Sequence, residues 1–263
     1  MPVITLTTDF GIKDGFTGVL KGVIWGICPD AQIADITHTV SPQNIFEGAM
    51  ALYRAVPFFP AGTVHIAVVD PGVGTKRRPM AAGLGGQFFV GPDNGLFTPE
   101  IEDAEQKNLP VEFVHLNNPE YWLPAVSLTF HGRDIFAPVG AHLAKGIDLI
   151  RLGTSFSDPV RIPLPKPERT AEGWNAHVTI IDIYGNITTD LLADQLEGRT
   201  EISFHIRGRE IKGIVESYGW RSPGDLVTLM DSEGYIEIAE VNGSAGKTLG
   251  ALPGDPVQVI FHG

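Results

Sequence analysis

The chain is poor in the residues that would tie it to several common functions. One cysteine, Cys28, in 263 residues excludes an internal disulfide and a cysteine-based zinc site. It sits in an apolar segment, where a thiol is buried and inert. Positive charge is also scarce: 19 Lys and Arg against 31 Asp and Glu give a net charge of −12, which argues against nucleic acid as a partner. No apolar run reaches membrane-spanning length, and Met1-Pro2-Val3 opens into a strand rather than a leader, so a cytoplasmic protein with no membrane partner is expected. The familiar cofactor loops are missing too. There is no G-x-x-x-x-G-K-[ST], no G-x-G-x-x-G after the first strand and no G-x-S-x-G elbow.

What is present is patterned. Val3 to Thr8, Gln32 to Thr37 and Thr63 to Val69 read as buried strands. Between them lie helical stretches, Gly15 to Cys28 with Val19, Val23 and Ile27 on one face, and a second through Val56 with Ser41 as N-cap and Pro42 at its first position. This alternation predicts an α/β domain with a mainly parallel central sheet. Further strands are expected at Met80 to Leu84, Gln87 to Val90 and Val111 to Leu116, with helices near Glu100 and from Arg133 to Lys145. Four prolines, Pro159, Pro163, Pro165 and Pro167, then interrupt the pattern and predict a linker over 158–168. Beyond it, Ala176 to Tyr184, Glu201 to Ile206, Leu226 to Met230, Tyr235 to Val241 and Val257 to Phe261 are short alternating strands. They predict a smaller, barrel-like all-β domain over 169–263, after an α/β domain over 1–157.

Two carboxylates end predicted parallel strands, Asp9 after the first and Asp70 after the third. In an open α/β sheet both fall at the carboxyl edge, where ligands gather. Asp9 suits either a ribose, through its two hydroxyls, or the cap of the next helix. Asp70 begins the loop Asp70-Pro71-Gly72-Val73-Gly74-Thr75-Lys76-Arg77-Arg78, so an anion and cations share one tight turn; a solvated turn with a capping Asp is the plainer alternative. His131 precedes a helix between an aromatic residue and a glycine. Asp9, Asp70 and His131 contain no local ligand pair, so no metal is expected. Farther on, Asp182-Ile183-Tyr184-Gly185-Asn186 offers an aromatic face and an amide that suit a purine, or simply a turn containing Asn. Ser232-Glu233-Gly234-Tyr235 is a second polar turn.

Taken together, Thr7-Thr8-Asp9-Phe10-Gly11, the Asp70 to Arg77 loop, Gly91-Pro92-Asp93-Asn94-Gly95-Leu96, Phe130-His131-Gly132-Arg133-Asp134, Tyr184-Gly185-Asn186 and Ser232-Glu233-Gly234-Tyr235 resemble, in order, the SAM hydroxide adenosyltransferase family. Those enzymes are hydrolytic relatives of the fluorinase and chlorinase that use S-adenosyl-L-methionine (SAM). The resemblance implies hydrolysis of SAM to adenosine and methionine, with SAM as substrate and no cofactor. It implies a homotrimer with SAM lying between one subunit's N-terminal domain and its neighbour's C-terminal domain. It assigns Asp70, Arg77 and His131 to the attacking water, with Arg78 as a second candidate for the arginine. Asp9 falls to the ribose, Tyr184 and Asn186 to adenine, and Asp182 and Ser232 to the methionine end. Asn94 and Glu237 complete the expected substrate-binding set. The halogenases carry Tyr-Ser where this chain has His131-Gly132, Tyr in place of Asp70, and, in the fluorinase, Trp in place of Gln43. An anionic Asp70 repels a halide and accepts a hydrogen bond from water. Halide-dependent cleavage and a non-catalytic SAM or adenosine sensor are the competing expectations.

Overall fold

The computed structural model describes residues 1–262. Its contacts divide the chain into two units, Met1–Pro163 and Leu164–Gly263. The first is built on a seven-stranded sheet of β1 (Val3–Thr8), β2 (Gln32–Thr37), β3 (Val64–Val68), β4 (Pro79–Leu84), β5 (Gln87–Pro92), β6 (Val111–His115) and β7 (Thr154–Phe156). The order is β2-β1-β3-β5-β4-β6-β7. The pairs β2-β1, β1-β3 and β3-β5 are parallel and the remaining three antiparallel, so five of the seven strands run the same way. The expected α/β domain is present.

Period-two alternation on β3 shows why the sheet is covered on both sides. Val64, Ile66 and Val68 face a core shared with Leu20 and Ile24 of α1 (Phe16–Ile27) and with Val139 and Leu143. Ala67 and Val69 face a second core with Ala49 and Leu52 of α2 (Ile45–Ala55) and with Ile101 and Ala104 of α3 (Thr98–Gln106). The face of α1 differs from the expected one. Val19 is exposed, and Val23 and Ile27 only flank the buried Leu20 and Ile24. Phe16, Val19 and Trp25 make this helix apolar nearly all round, so periodicity alone misplaces its face. The start of α2 also differs. Asn44, not Ser41, is the N-cap, its side chain accepting from Glu47 N at 3.1 Å. Gln43 is held at φ 65°, outside the helix, while its N–H donates to Asp9. A contact 34 residues distant overrides the local Ser-Pro signal.

The second unit is antiparallel throughout. Its strands are β8 (Glu168–Arg169), β9 (Gly173–Ile181), β10 (Ile187–Leu192), β11 (Ile202–Ile206), β12 (Arg209–Lys212), β13 (Leu226–Met230), β14 (Tyr235–Glu240) and β15 (Pro256–Phe261). They run in the order β12-β11-β15-β9-β10-β14-β13, with β8 added on β9. The two ends approach one another: Val215, just past β12, donates its N–H to Thr228 on β13 at 2.9 Å, and the Thr228 hydroxyl donates to Gly213 O. The sheet is therefore a nearly closed barrel around Phe204, Val178, Ile236 and Val257. Residues 158–162 of the proline-rich stretch lie along the first unit. Val160 N donates to Asp93 at 2.7 Å, Ile162 N to Thr98 Oγ1 at 3.1 Å, and Arg161 forks onto Glu105.

Candidate active site

The parallel strands deliver their carboxyl ends to one edge, and there β1 leads into Asp9 and β3 into Asp70. A cavity of about 300 Å3 opens at this edge, lined by Asp9, Phe10, Gln43, Asp70, Phe130 and His131 among others. Its size falls at the lower end for small-molecule sites. Phe10 and Phe130 wall it edge to face at 5.6 Å, with Phe16 completing the cluster.

Asp70, Arg77 and His131 converge here. Arg77 grips the Asp70 carboxylate with two arms, Nε to Oδ1 at 3.0 Å and Nη2 to Oδ2, and both side chains are almost fully buried. The same Nη2 reaches His131 Nδ1 at 3.3 Å. A guanidinium can only donate, so Nδ1 is an acceptor and the proton of the neutral ring resides on Nε2. Burial first, and then the Arg77 charge, push the His131 imidazole below its ordinary value, against opposing effects of Asp70, Asp134 and the Ser127 backbone. His131 is therefore a neutral ring at neutral pH. The Nη1 of Arg77 is buried without a hydrogen-bond partner among the described residues.

The loop that carries this pair doubles back tightly. Gly74 sits at φ 74°, and a Cβ there would lie 2.2 Å from the Leu128 carbonyl oxygen, so no other residue fits. Arg78, the neighbour of Arg77, turns away from the cavity. Its Nε donates to the buried Asp93 at 2.8 Å, its Nη1 and Nη2 hold Asp158, and it stacks 4.3 Å above Phe156. Of the two arginines only Arg77 reaches Asp70 and His131.

Asp9 does not cap the helix that follows it. Gly15 is the N-cap of α1 and offers no side chain. Asp9 instead accepts from Gln43 N at 2.8 Å and borders the cavity. Its loop is fixed from behind, where Gly11 N donates to His38 O at 2.7 Å and the buried Thr8 hydroxyl meets His38 Nδ1 at 2.9 Å. Asn94 does not line the cavity. Its amide donates to Val69 O at 2.9 Å and accepts from Leu96 N at 3.2 Å, bracing the residue before Asp70.

In the second unit the remaining candidates lie on turns, except Glu237, which is on β14. Asp182 Oδ1 accepts from Tyr184 N at 2.9 Å and Asn186 N at 2.8 Å, and Asn186 Nδ2 reaches Asp182 Oδ2 at 3.3 Å. Tyr184 projects into solvent. Ser232 is exposed on the β13–β14 turn, which Asp231 organises by accepting from Glu233 N and Tyr235 N. Glu237 is buried on β14 and accepts from the Tyr218 hydroxyl at 2.6 Å. Burial and that bond raise the phenol above its ordinary value, with Asp182 and Asp231 adding to the effect. Sequence reasoning did not single out Tyr218: it lies in the single helical turn Tyr218–Trp220, and nothing in its local pattern marks its bond to Glu237. Among the described residues, no three His, Cys, Asp or Glu side chains are grouped to hold a metal ion. No described helix is long and apolar enough to cross a membrane.

Comparison with known proteins matches this architecture along nearly its whole length. A protein of Salinispora tropica named (R)-S-adenosyl-L-methionine hydrolase is 41% identical over 261 residues, covering 98% of this chain and 97% of that protein. A fluorinase of Nocardia brasiliensis is 29% identical, covering 98% of this chain and 96% of its own. A solved structure from Thermotoga maritima superimposes with a TM-score of 0.89 at 36% identity, covering 98% and 99% of the two chains. Residues 4–153 match the SAM hydroxide adenosyltransferase N-terminal domain and residues 176–258 the C-terminal domain. On a match of both domains in order, the chain belongs to the SAM hydroxide adenosyltransferase family.

Proposed function

We propose that this chain hydrolyses SAM to adenosine and L-methionine by attack of water on the ribose 5′ carbon. The observation that carries the reading is the contact of Asp70, Arg77 and His131 at the edge of the cavity bordered by Asp9. The proteins of this family named as SAM hydrolases support it at 35–41% identity, against 29% for the Nocardia fluorinase.

The chemistry asks little of the protein beyond placement. The 5′ carbon carries a sulfonium, and displacement releases methionine as a neutral thioether that needs no general acid. What is needed is a water held in line behind the carbon and shielded from solvent. Asp70 accepts a hydrogen from that water and orients its lone pair. Arg77 fixes the carboxylate and has a donor to spare in Nη1. His131, its Nδ1 occupied by Arg77, is an acceptor that aligns the guanidinium rather than the base. As the new C–O bond forms, the water oxygen becomes strongly acidic, so a carboxylate is basic enough to take its proton.

Asp9 takes the ribose hydroxyls, Tyr184 and Asn186 the adenine, and Asp182 and Ser232 the methionine end, with Glu237 in the same substrate-binding set. These two sets belong to different units of the chain. The homotrimer implied by the resemblance brings the first unit of one copy to the second unit of a neighbour, and sedimentation of the purified chain tests it. No cofactor enters this chemistry.

The test of the activity is incubation of the purified chain with SAM, in the presence and absence of high chloride, followed by mass spectrometry. Adenosine and methionine in equal amounts, unaffected by chloride, are expected. Halogenated deoxyadenosine, or tight SAM binding without turnover, would overturn the reading.

A further inference from the structure

We propose that Asp134 is a positioning residue for this reaction: through Ser127 it fixes the irregular segment 123–131, which presents His131 to Arg77. The proposal rests on the reading of the site as a SAM hydrolase and assigns a residue that takes no part in the chemistry above.

Asp134 lies in the helical stretch Gly132–Phe136 that leads into α4 (Ala137–Ala144), and its side chain is completely buried. One carboxylate oxygen accepts from both Ser127 N and Ser127 Oγ, each at 2.8 Å. Arg133 neutralises it, Nε to Oδ1 at 2.6 Å and Nη2 to Oδ2 at 3.1 Å. Burial would raise the acid, but the bonds from Arg133 and Ser127 outweigh it and hold the carboxylate below its usual range. The backbone of Asp134 ties the far end of the same segment, its carbonyl accepting from Leu123 N at 2.9 Å. One residue therefore ties the segment at its start, Leu123, and at its middle, Ser127.

Phe130 anchors the segment's C-terminal end against Phe10 and Phe16, but the stretch before it has little such support. Leu128 and Val126 point to solvent, so apolar burial contributes little there. Helix capping does not account for the acid either. The Ser127 hydroxyl already caps the following turn by accepting from Phe130 N at 3.0 Å, and Asp134 is additional to that bond.

The segment lines the cavity through Thr129 and Phe130 and meets the loop that carries Asp70 and Arg77 at two places. The Leu128 carbonyl lies against Gly74 in the loop between Asp70 and Arg77. At the other end, His131 Nδ1 takes Arg77 Nη2 at 3.3 Å, a separation at the long limit of a useful hydrogen bond. A shift of a few tenths of an ångström at Ser127 is enough to lose it. Arg77 would then keep Asp70 but lose the partner that sets its rotation.

The experiment compares the wild-type chain with Ser127→Ala, Ser127→Thr and Asp134→Asn in SAM turnover, together with nitrogen-15 NMR of histidine-labelled protein. In the wild type the His131 ring should show Nδ1 bare and Nε2 protonated. Ser127→Ala and Asp134→Asn should lower kcat by about 10- to 100-fold with KM for SAM within about twofold. Both should blur the His131 signature toward mixed tautomers, while Ser127→Thr, which keeps the hydroxyl, restores kcat. A purely structural role would lower the melting temperature and leave kcat and the ring signature of the folded fraction intact, which would overturn the proposal. If Asp134→Asn does not fold, Ser127→Ala decides alone. If the wild type releases no adenosine, the hydrolase reading fails, while the NMR arm still settles whether Asp134 sets the His131 ring.

Discussion

In the first unit the carboxylates of Asp70, Asp93 and Asp134 are buried and each is held by an arginine, Arg77, Arg78 and Arg133 respectively. On the opposite helical layer, Glu100 of α3 is as deeply buried, yet neither of its oxygens has a hydrogen-bond partner among the described residues. The consequence differs sharply. Burial pushes Glu100 up to about 8, with Asp103 adding to the effect, so it is a neutral acid at pH 7. Asp134, held by donors, remains an anion. The same fold thus keeps Asp134 charged, where donors are built in, and lets Glu100 discharge, where burial dominates.

The largest effect expected from breaking this contrast is at Asp70. Asp70→Ala should lower kcat for adenosine release by roughly 10²- to 10³-fold or more, with SAM binding by calorimetry nearly unchanged. Next is Arg77→Lys. It keeps the charge but cannot fork onto Asp70 and reach His131 together, so kcat should fall about 10²-fold. Arg78→Lys sharpens the comparison. It should leave kcat within about threefold and instead destabilise the fold by on the order of 1–3 kcal/mol, read by chemical denaturation, because the buried Asp93 loses the Nε donor while Asp158 loses its fork.

Acidity gives a fourth expectation. Because the His131 value is lowered, the ring stays neutral as pH falls through 6.5, and kcat should hold there and decline only at lower pH. A profile that loses half its activity near 7 would contradict the role given to His131. The smallest effect on turnover is at Glu100. Its folded value lies above its unfolded one, so its stabilising share is complete below about 4.5 and is lost as pH rises toward 8. Glu100→Gln should therefore match the wild type in melting temperature at pH 4, exceed it at pH 9 and leave kcat unchanged.

Most of the first sheet is readable from the chain, because its β-branched runs are buried on both faces and broken by Gly, Pro and Asp. Three strands of the barrel escape that reading, and β8 is only two residues long. β10 is threonine-rich with Asp190 at its centre, and β12 is four residues, three of them charged. Their pairing partners, rather than their apolar content, make them strands. At the site, Asp9, Asp70, Arg77 and His131 stand in recognisable motifs, and the structure adds which arginine reaches the others. Asn94 shows the limit of motif reading, since its position in the pattern does not reveal that its amide braces Val69. Ser127 and Asp134 were illegible for a related reason. Their bond joins an irregular segment to a helix seven residues on, and no periodicity encodes it.

The central claim is that solvent, ordered by Asp70 and Arg77, becomes the 5′ oxygen of the product. Turnover of SAM in oxygen-18 water, with mass spectrometry of the adenosine and its fragments, tests it directly. The account predicts one heavy oxygen, located on the 5′ carbon, and none in methionine. Adenosine without the label, or label at any other position, would contradict it.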